Sequence, residues 1–287
     1  MITQTKKALR TRVRAAALFG LSRAFDYADR TEQALAKPMV HFPYFHAVPL
    51  SEMVNFRAFL SELSKTHNLI SYSDAIDRVV KGSIDRPYAA ISFDDGFKSN
   101  LEAAYALEDY GTTGTFFVPT NAIGLSTVTQ ARDFFKFSEG CDEPVMDWSD
   151  LEELKNRGHE IGNHTLTHRT LSGLSHAEAA DEISQAAEVM RSRLGSCDHF
   201  AWPNGRFHHF KKDLIQTVYA SGHVSCASAE RGAHSVVHSG SPESLCIRRD
   251  HVMSSWPLDT NRYFLARSAE RSSELSNLYP VDDWPEP

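Results

Sequence analysis

Apolar positions along this chain follow two rhythms. From Pro38 onward, short and nearly unbroken apolar runs alternate with longer segments in which apolar residues recur every three to four positions. The first rhythm belongs to strands covered on both faces, the second to helices with one buried face. Residues 39–45 and 88–93 read as strands, the second ending in two adjacent aspartates. Residues 52–65 read as a helix with Phe56, Phe59, Leu60 and Leu63 on one face, and Ser73 as the cap of a helix over 74–81. A helix over 98–110 stops at Gly111, and a strand over 114–118 ends at Pro119. Further helices are expected at 149–157, 175–194, 208–221 and 259–270, with strands at 159–163, 199–202, 222–227 and 245–249. This alternation builds a mostly parallel sheet, and 287 residues favour a closed or nearly closed α/β barrel over an open doubly wound sheet.

Composition narrows the partners. With 41% hydrophobic and 23% charged residues the chain has enough apolar surface for a large core, and a net charge of −7 argues against nucleic acid as a partner. The charge is uneven, because the first 38 residues hold eight Lys or Arg and three Asp or Glu. This divides the chain into a basic N-terminal helical arm (1–37), a barrel (38–270) and a short tail (271–287). Lys6, Lys7, Arg10, Arg12 and Arg14 precede the apolar stretch Ala15–Leu21, an arrangement similar to the start of an export signal. The stretch is short and no small-x-small cleavage site follows, so an amphipathic or membrane-surface helix or a packing arm is the favoured reading. That reading places the protein in the cytoplasm or at a membrane face, with export as the alternative. Cys141, Cys197, Cys226 and Cys246 include no CxxC pair and read as scattered buried thiols.

In parallel barrels chemistry sits where strands end, and four such places carry polar residues. Asp94-Asp95-Gly96 sets two carboxylates side by side, a repulsion relieved when a cation binds one or a proton occupies the other. The same Asp-Gly pair also makes ordinary turns and helix caps. His164 and His168, four apart, would lie on one side of a helical turn and grip one metal. With 14 histidines such a spacing also arises by chance. Asp plus two His forms a facial ligand set that leaves positions open for water and substrate. Trp202-Pro203-Asn204-Gly205 turns an aromatic strand end, and Arg248-Arg249-Asp250-His251 brings charge to the end of a late strand. Their plain readings are a good turn and a solvated charge cluster.

Taken together, the SFDDG run, GHEIGNHTLTH and FAWPNG, in this order over about residues 38–265, resemble the polysaccharide deacetylase family. These are NodB-homology carbohydrate esterases that remove N-acetyl groups from amino sugars. The resemblance implies an irregular (β/α) barrel of about seven strands. It also implies metal ligation by Asp95, His164 and His168, a general base at Asp94, and a backbone N–H at Asn204 facing the developing oxyanion. The expected cofactor is a divalent metal, zinc by default, with cobalt, nickel, manganese or iron fitting the same ligands. The expected partner is an N-acetylated saccharide, as polymer, oligosaccharide or lipid-linked precursor.

The chain departs from the commonest family pattern in two places. Ala201 stands where many members have an arginine beside the base, closer to a FAYPYG-like subgroup, so Arg248 or Arg249 is expected to replace it. The late acid motif is also indistinct, which leaves His251, and behind it His238, as general acid. Trp148, Trp202 and Trp256 are candidates for stacking on sugar rings, with Pro203 beside Trp202, against a plain core role. Residues 120–147, including Arg132, Lys136, Phe134, Phe135 and Phe137, form the longest strand-to-helix connection and are expected to wall or cover the substrate. Hydrolysis of a formyl sugar or another small amide, and a catalytically silent carbohydrate-binding barrel, are the competing readings.

Overall fold

The structure is a computed structural model that describes residues 20, 21, 23, 29–136, 142–236, 238, 240–272 and 279. In chain order the strands are β1 (Met39–His41), β2 (Pro43–Phe45), β3 (Asn68–Leu69), β4 (Pro87–Ala89), β5 (Ile91–Asp94), β6 (Gly114–Val118), β7 (Glu160–Asn163), β8 (His199–Ala201), β9 (Ser225–Ala227) and β10 (Asp250–His251). The helices are α1 (Arg30–Leu35), α2 (Met53–Leu63), α3 (Tyr72–Lys81), α4 (Asn100–Glu108), α5 (Val128–Phe135), α6 (Trp148–Asn156), α7 (His176–Leu194), α8 (Leu214–Ala220) and α9 (Leu258–Arg271).

Seven strands form one parallel sheet in the order β10-β2-β5-β6-β7-β8-β9, and β1-β4-β3 make a small second sheet. The two long apolar runs expected as single strands each divide, at Phe42 and at Ala90, and contribute one strand to each sheet. The segment leading into β10 draws the edges of the large sheet together. Ile247 N–H donates to Cys226 O at 3.0 Å and its carbonyl accepts from Ser228 N–H at 2.8 Å, while Asp250 and Val252 N–H donate to Phe42 O and Tyr44 O at 2.9 and 3.0 Å. The result is the α/β barrel that the alternation predicts, with the seven strands that the resemblance implies and the ends of β5, β7, β8 and β10 directed toward one rim.

Strands in such a sheet are apolar throughout because helices cover one side and barrel side chains fill the other. Phe45, Phe56, Phe93 and Phe116 belong to the core cluster that also takes in helix residues such as Leu60 and Leu107, with Phe93 stacked on Phe116 at 4.9 Å. Val40, Phe42, Tyr72, Phe117, Ala201, Ala227 and Ile247 form a second cluster. Helix ends follow local signals: Ser175 caps α7 through a reciprocal bond with Glu178, and Gly195 ends it in the left-handed region. Three expectations shift. The cap of α3 is Ser71 rather than Ser73, the helix over 208–221 shrinks to α8 after a single 3-10 turn at Phe207–His209, and the late strand forms at Asp250–His251 rather than at 245–249.

The end of the expected arm belongs to the folded body. Ala34 and Leu35 are buried, Arg30 pairs with Glu270 at 2.6 Å, and Glu32 pairs with Arg262, so α1 is fastened to α9. The rest of the arm, apart from residues 20, 21 and 23, and nearly all of the tail lie outside the described residues, as do Phe137 and Cys141. Among the described residues no helix is long and apolar enough to cross a membrane. Cys197, Cys226 and Cys246 are buried free thiols.

Candidate metal and catalytic centre

The DDG run turns sharply at the end of β5. Asp94 is the last strand residue, and Asp95 and Gly96 both adopt φ of 72°. A Cβ on Gly96 would lie 2.7 Å from Val118 Cγ1, so the turn needs glycine there. The turn separates the two carboxylates, and each has a different partner.

Asp95 meets the histidines that follow β7. Its Oδ1 lies 3.1 Å from His168 Nε2 and 3.7 Å from His164 Nε2. The expectation of a helical HxxxH pair is corrected here: residues 164–168 form a loop, with Thr165 and His168 at φ of 69° and 58°. Hydrogen bonds hold that loop. Asn163 Oδ1 accepts from Thr165 N–H at 2.7 Å, and Thr165 Oγ1 accepts from His168 N–H at 3.1 Å. Glu182 of α7, buried, accepts from Leu166 N–H, Thr167 N–H and the Thr167 hydroxyl at 3.1, 2.8 and 2.5 Å. His164 Nδ1–H donates to Ala201 O at 2.7 Å, which leaves Nε2 as the lone-pair nitrogen toward Asp95.

This donor set fits a divalent cation. One atom from each of Asp95, His164 and His168 lies within 4.8 Å of the others. Both Asp95 oxygens are buried with no hydrogen-bond partner, a costly state for a carboxylate unless a cation takes those lone pairs. Burial works to raise the Asp95 pKa, yet the adjacent His168 imidazole outweighs it and holds the carboxyl well below its usual range. Burial pushes His164 down to about 4, so its imidazole is neutral near pH 7, as a ligand must be.

Asp94 is served by Arg249. The guanidinium donates through Nη1 and Nη2 to the two carboxylate oxygens at 2.7 and 2.9 Å, with both side chains essentially buried. Arg249 also donates to Ser228 O at 2.9 Å and lies over the rings of Tyr44 and Phe117, at 4.5 and 5.0 Å. Burial tends to raise the Asp94 pKa, and the Arg249 charge more than cancels this, so Asp94 is an anion at neutral pH. Arg248 is corrected as a partner of the base: it points the other way, 5.2 Å over Phe207, into a neighbouring cleft.

The other expected site residues divide. His251 lines the same pocket as Asp94, Asp95, His164, His168 and Asn204, and that pocket of about 300 Å³ opens beside a groove of about 630 Å³. Burial, then the nearby His46 and Arg231, push the His251 pKa down to about 3. Asn204 lies on the rim at φ of 64°, its side-chain amide donating to Thr170 Oγ1 at 3.0 Å. Trp256 is half-buried, 5.8 Å from the His251 ring. Trp202 and Pro203 are corrected as a sugar platform, because both are buried and Trp202 stacks on Phe210 at 4.6 Å. Trp148 packs against the core from α6. His238 is corrected as an acid: it bonds Ser241 O and Ser244 Oγ at 2.9 and 3.0 Å and does not line the pocket.

Two residues escaped the sequence reading. His46, directly after β2, lines both the pocket and the groove, and the rule of inspecting polar residues at strand ends would have found it. Glu182 carried a weaker signal, an acid on the buried face of α7 between Ala179 and Ala186. Described residues of the 120–147 connection pack on the histidine loop: Thr120 and Asn121 N–H donate to Thr165 O and Leu166 O, and Phe135 meets the His168 ring edge-on at 5.1 Å. Lys136 ends α5 and Arg132 pairs with Asp142, which lines the groove.

A parallel α/β barrel thus carries an Asp-His-His cluster able to hold a cation at its strand ends, with a buried carboxylate–arginine pair alongside. Residues 81–224 match the sequence profile of polysaccharide deacetylases, half of the chain, and the protein belongs to that family. Its fold is similar to IcaB of Ammonifex degensii (TM-score 0.64, 17% identity, 79% of this chain and 97% of that one). It is also similar to the Streptococcus pyogenes deacetylase PplD in complex with acetate (TM-score 0.61, 13% identity, 79% and 98%). Among curated relatives, SCO4760 of Streptomyces coelicolor is 41% identical over 61 residues, 21% of this chain and 24% of that protein. YxkH of Bacillus subtilis is 22% identical over 147 residues, 50% of this chain and 46% of that protein. The chain thus spans less than half the length of these curated relatives.

Proposed function

We propose that the protein hydrolyses the N-acetyl group of an amino sugar in a polysaccharide, oligosaccharide or lipid-linked saccharide. The observation that carries this reading is a buried, ionised Asp94 clamped by Arg249 immediately beside the Asp95-His164-His168 set, in a pocket adjoining an open groove that Asp95 and His251 also line. A divalent cation held by those three ligands, zinc in the first instance, supplies Lewis-acid polarisation and lowers the pKa of a bound water toward about 7.

The chain's own residues do the rest. Asp94, kept anionic by Arg249, accepts the proton of the water that attacks the acetyl carbonyl carbon. A backbone N–H at Asn204 on the rim is the donor toward the oxygen on which charge builds. The carbon–nitrogen bond then breaks as the amine nitrogen gains a proton. Asp94, loaded by the first step, and the imidazoles of His251 and His46 line that cavity and are the candidates to return it. The low His251 pKa leaves its imidazole neutral at rest, which favours Asp94 as the donor and His251 as a hydrogen-bonding wall.

The test is acetate release from chitooligosaccharides and poly-N-acetylglucosamine fragments by metal-loaded wild type beside Asp94→Asn, His164→Ala and His251→Asn. Release is expected to fall by about 10²–10⁴ in Asp94→Asn. No release by metal-bound wild type would overturn the reading and move weight to a formyl or other small amide, or to a silent carbohydrate-binding barrel.

A further inference from the structure

A second cavity adjoins the catalytic pocket, and its lining is cationic. A cleft of about 380 Å³ is lined by Arg206, Arg231, Arg248, Arg267 and Arg271, with Glu230 as its acidic member. Arg206 lines this cleft and the catalytic pocket together, so the two are continuous at that side chain. Arg231 makes a second link, since its Nη2 donates at 2.7 Å to the carbonyl of His251 in the catalytic pocket. Beyond Arg267 and Arg271, a further cavity adds Arg30 and Lys37, with Glu270 as its acidic member. A basic track therefore leads away from the reaction centre on a chain whose net charge is −7.

The guanidiniums are held in place from their flat faces and by selected carboxylates. Arg231 lies 4.1 Å from the Phe264 ring centre and Arg248 5.2 Å from that of Phe207. Glu230 anchors Arg206 at 2.9 Å, Asp250 pairs with Arg231 at 3.3 Å, and Glu270 anchors Arg267 at 2.8 Å. A guanidinium presents five N–H donors in a rigid plane, so one arginine can serve more than one acceptor. Five guanidiniums against one carboxylate in the lining leave the cleft cationic. Planar forked donors are suited to phosphoryl and carboxylate oxygens.

Resting on the deacetylase reading, we propose that this cleft binds an oxyanionic group carried by the saccharide next to the acetamido sugar. The substrate is thereby an acidic N-acetyl saccharide rather than a neutral glucan. The group is either a phosphoryl on the sugar, as at a sugar 1-phosphate or diphosphate, or the carboxylate of an adjoining uronic acid residue.

Binding and turnover are measured separately, so that the two readings fail separately. Calorimetry on the full chain uses N-acetylglucosamine 1-phosphate, an N-acetylglucosamine–glucuronate disaccharide and neutral chitobiose, with wild type, Arg248→Gln, Arg271→Gln and Arg248→Lys. A charged saccharide is expected to bind more tightly than chitobiose, and each Gln variant to weaken it by about tenfold, with partial recovery in Arg248→Lys. The charged probe that shows the effect identifies the source of the oxyanion. Equal binding of all three probes, or charged binding unaltered in both folded Gln variants, overturns the proposal whether or not acetate is released. Attachment to vesicles containing anionic lipid that both Gln variants abolish, with no preference for either charged saccharide, also overturns it in favour of a membrane face. In turnover, the ratio of kcat/KM for the charged over the neutral substrate falls in the Gln variants.

Discussion

Replacing Arg249 by methionine isolates the Asp94 pair. In the native barrel the pair is buried on both sides and joined by two hydrogen bonds of 2.7 and 2.9 Å. Methionine fills part of the volume and leaves the Asp94 charge buried without its partner, which costs about 3–5 kcal/mol. For a chain of this size that lowers Tm by roughly 10 °C. The pH dependence carries the sharper signature. In wild type the Asp94 pKa is depressed, so the pair contributes stability above the unfolded carboxyl value of about 3.9 and loses it as pH falls through the lower folded value. Without Arg249, burial prevails and raises the folded pKa above the unfolded one. The sign then reverses, and Asp94 costs stability as pH rises. Urea unfolding at pH 5 and pH 8 should therefore show a larger penalty at pH 8. The double variant Arg249→Met/Asp94→Asn should recover much of the loss, because no charge is left stranded. A penalty below about 1 kcal/mol at pH 8, or one equal at both pH values, would refute the reasoning.

Three further outcomes follow from the same geometry. Zinc at about 100 times its dissociation constant should stabilise the wild type by about 2.7 kcal/mol, reversibly with chelator, and His168→Ala should lose the effect in a thermal melt. Glu182→Ala, which strips the Thr167 N–H and hydroxyl of their carboxylate acceptor, should cost about 1–3 kcal/mol in unfolding and weaken zinc binding measured by competition with a chromophoric chelator. Gly205→Ala should destabilise by about 3 kcal/mol or more, since its Cβ would meet Ala229 Cβ at 2.2 Å and Ala229 N at 2.6 Å from a backbone at φ of 63°; denaturant titration reads the change.

Local patterns made much of the molecule legible. Two-period alternation identified the strands and helices, because a side chain's burial along one element repeats with that element's own geometry. The capping signals around α7 marked both of its ends, since caps satisfy backbone groups within a turn. The meeting of Asp95 with His164 and His168 at one rim, beside Asp94, was legible as well, the four being confined to two short runs at strand ends.

What escaped depended on contacts between distant segments. The histidine pair was read as helical, whereas a carboxylate from α7 draws Leu166 and Thr167 into a loop. Trp202 was offered to sugar, but Phe210 and Tyr279 enclose it, and sequence distance gives no account of that enclosure. Arg248 and Arg249 were interchangeable on paper. In extended chain, neighbouring side chains face opposite ways, so the way the segment approaching β10 crosses from β9 to β2 decided that Arg249 enters the barrel and Arg248 faces the outer cleft. The sequence by itself determined the order of elements, the barrel class and the four residues at its centre, because each is written in a short local pattern. The arginine partner of Asp94, the loop that holds His164 and His168 and the basic cleft beside them were decided only by tertiary structure, because each is made by residues that the chain brings together from far apart.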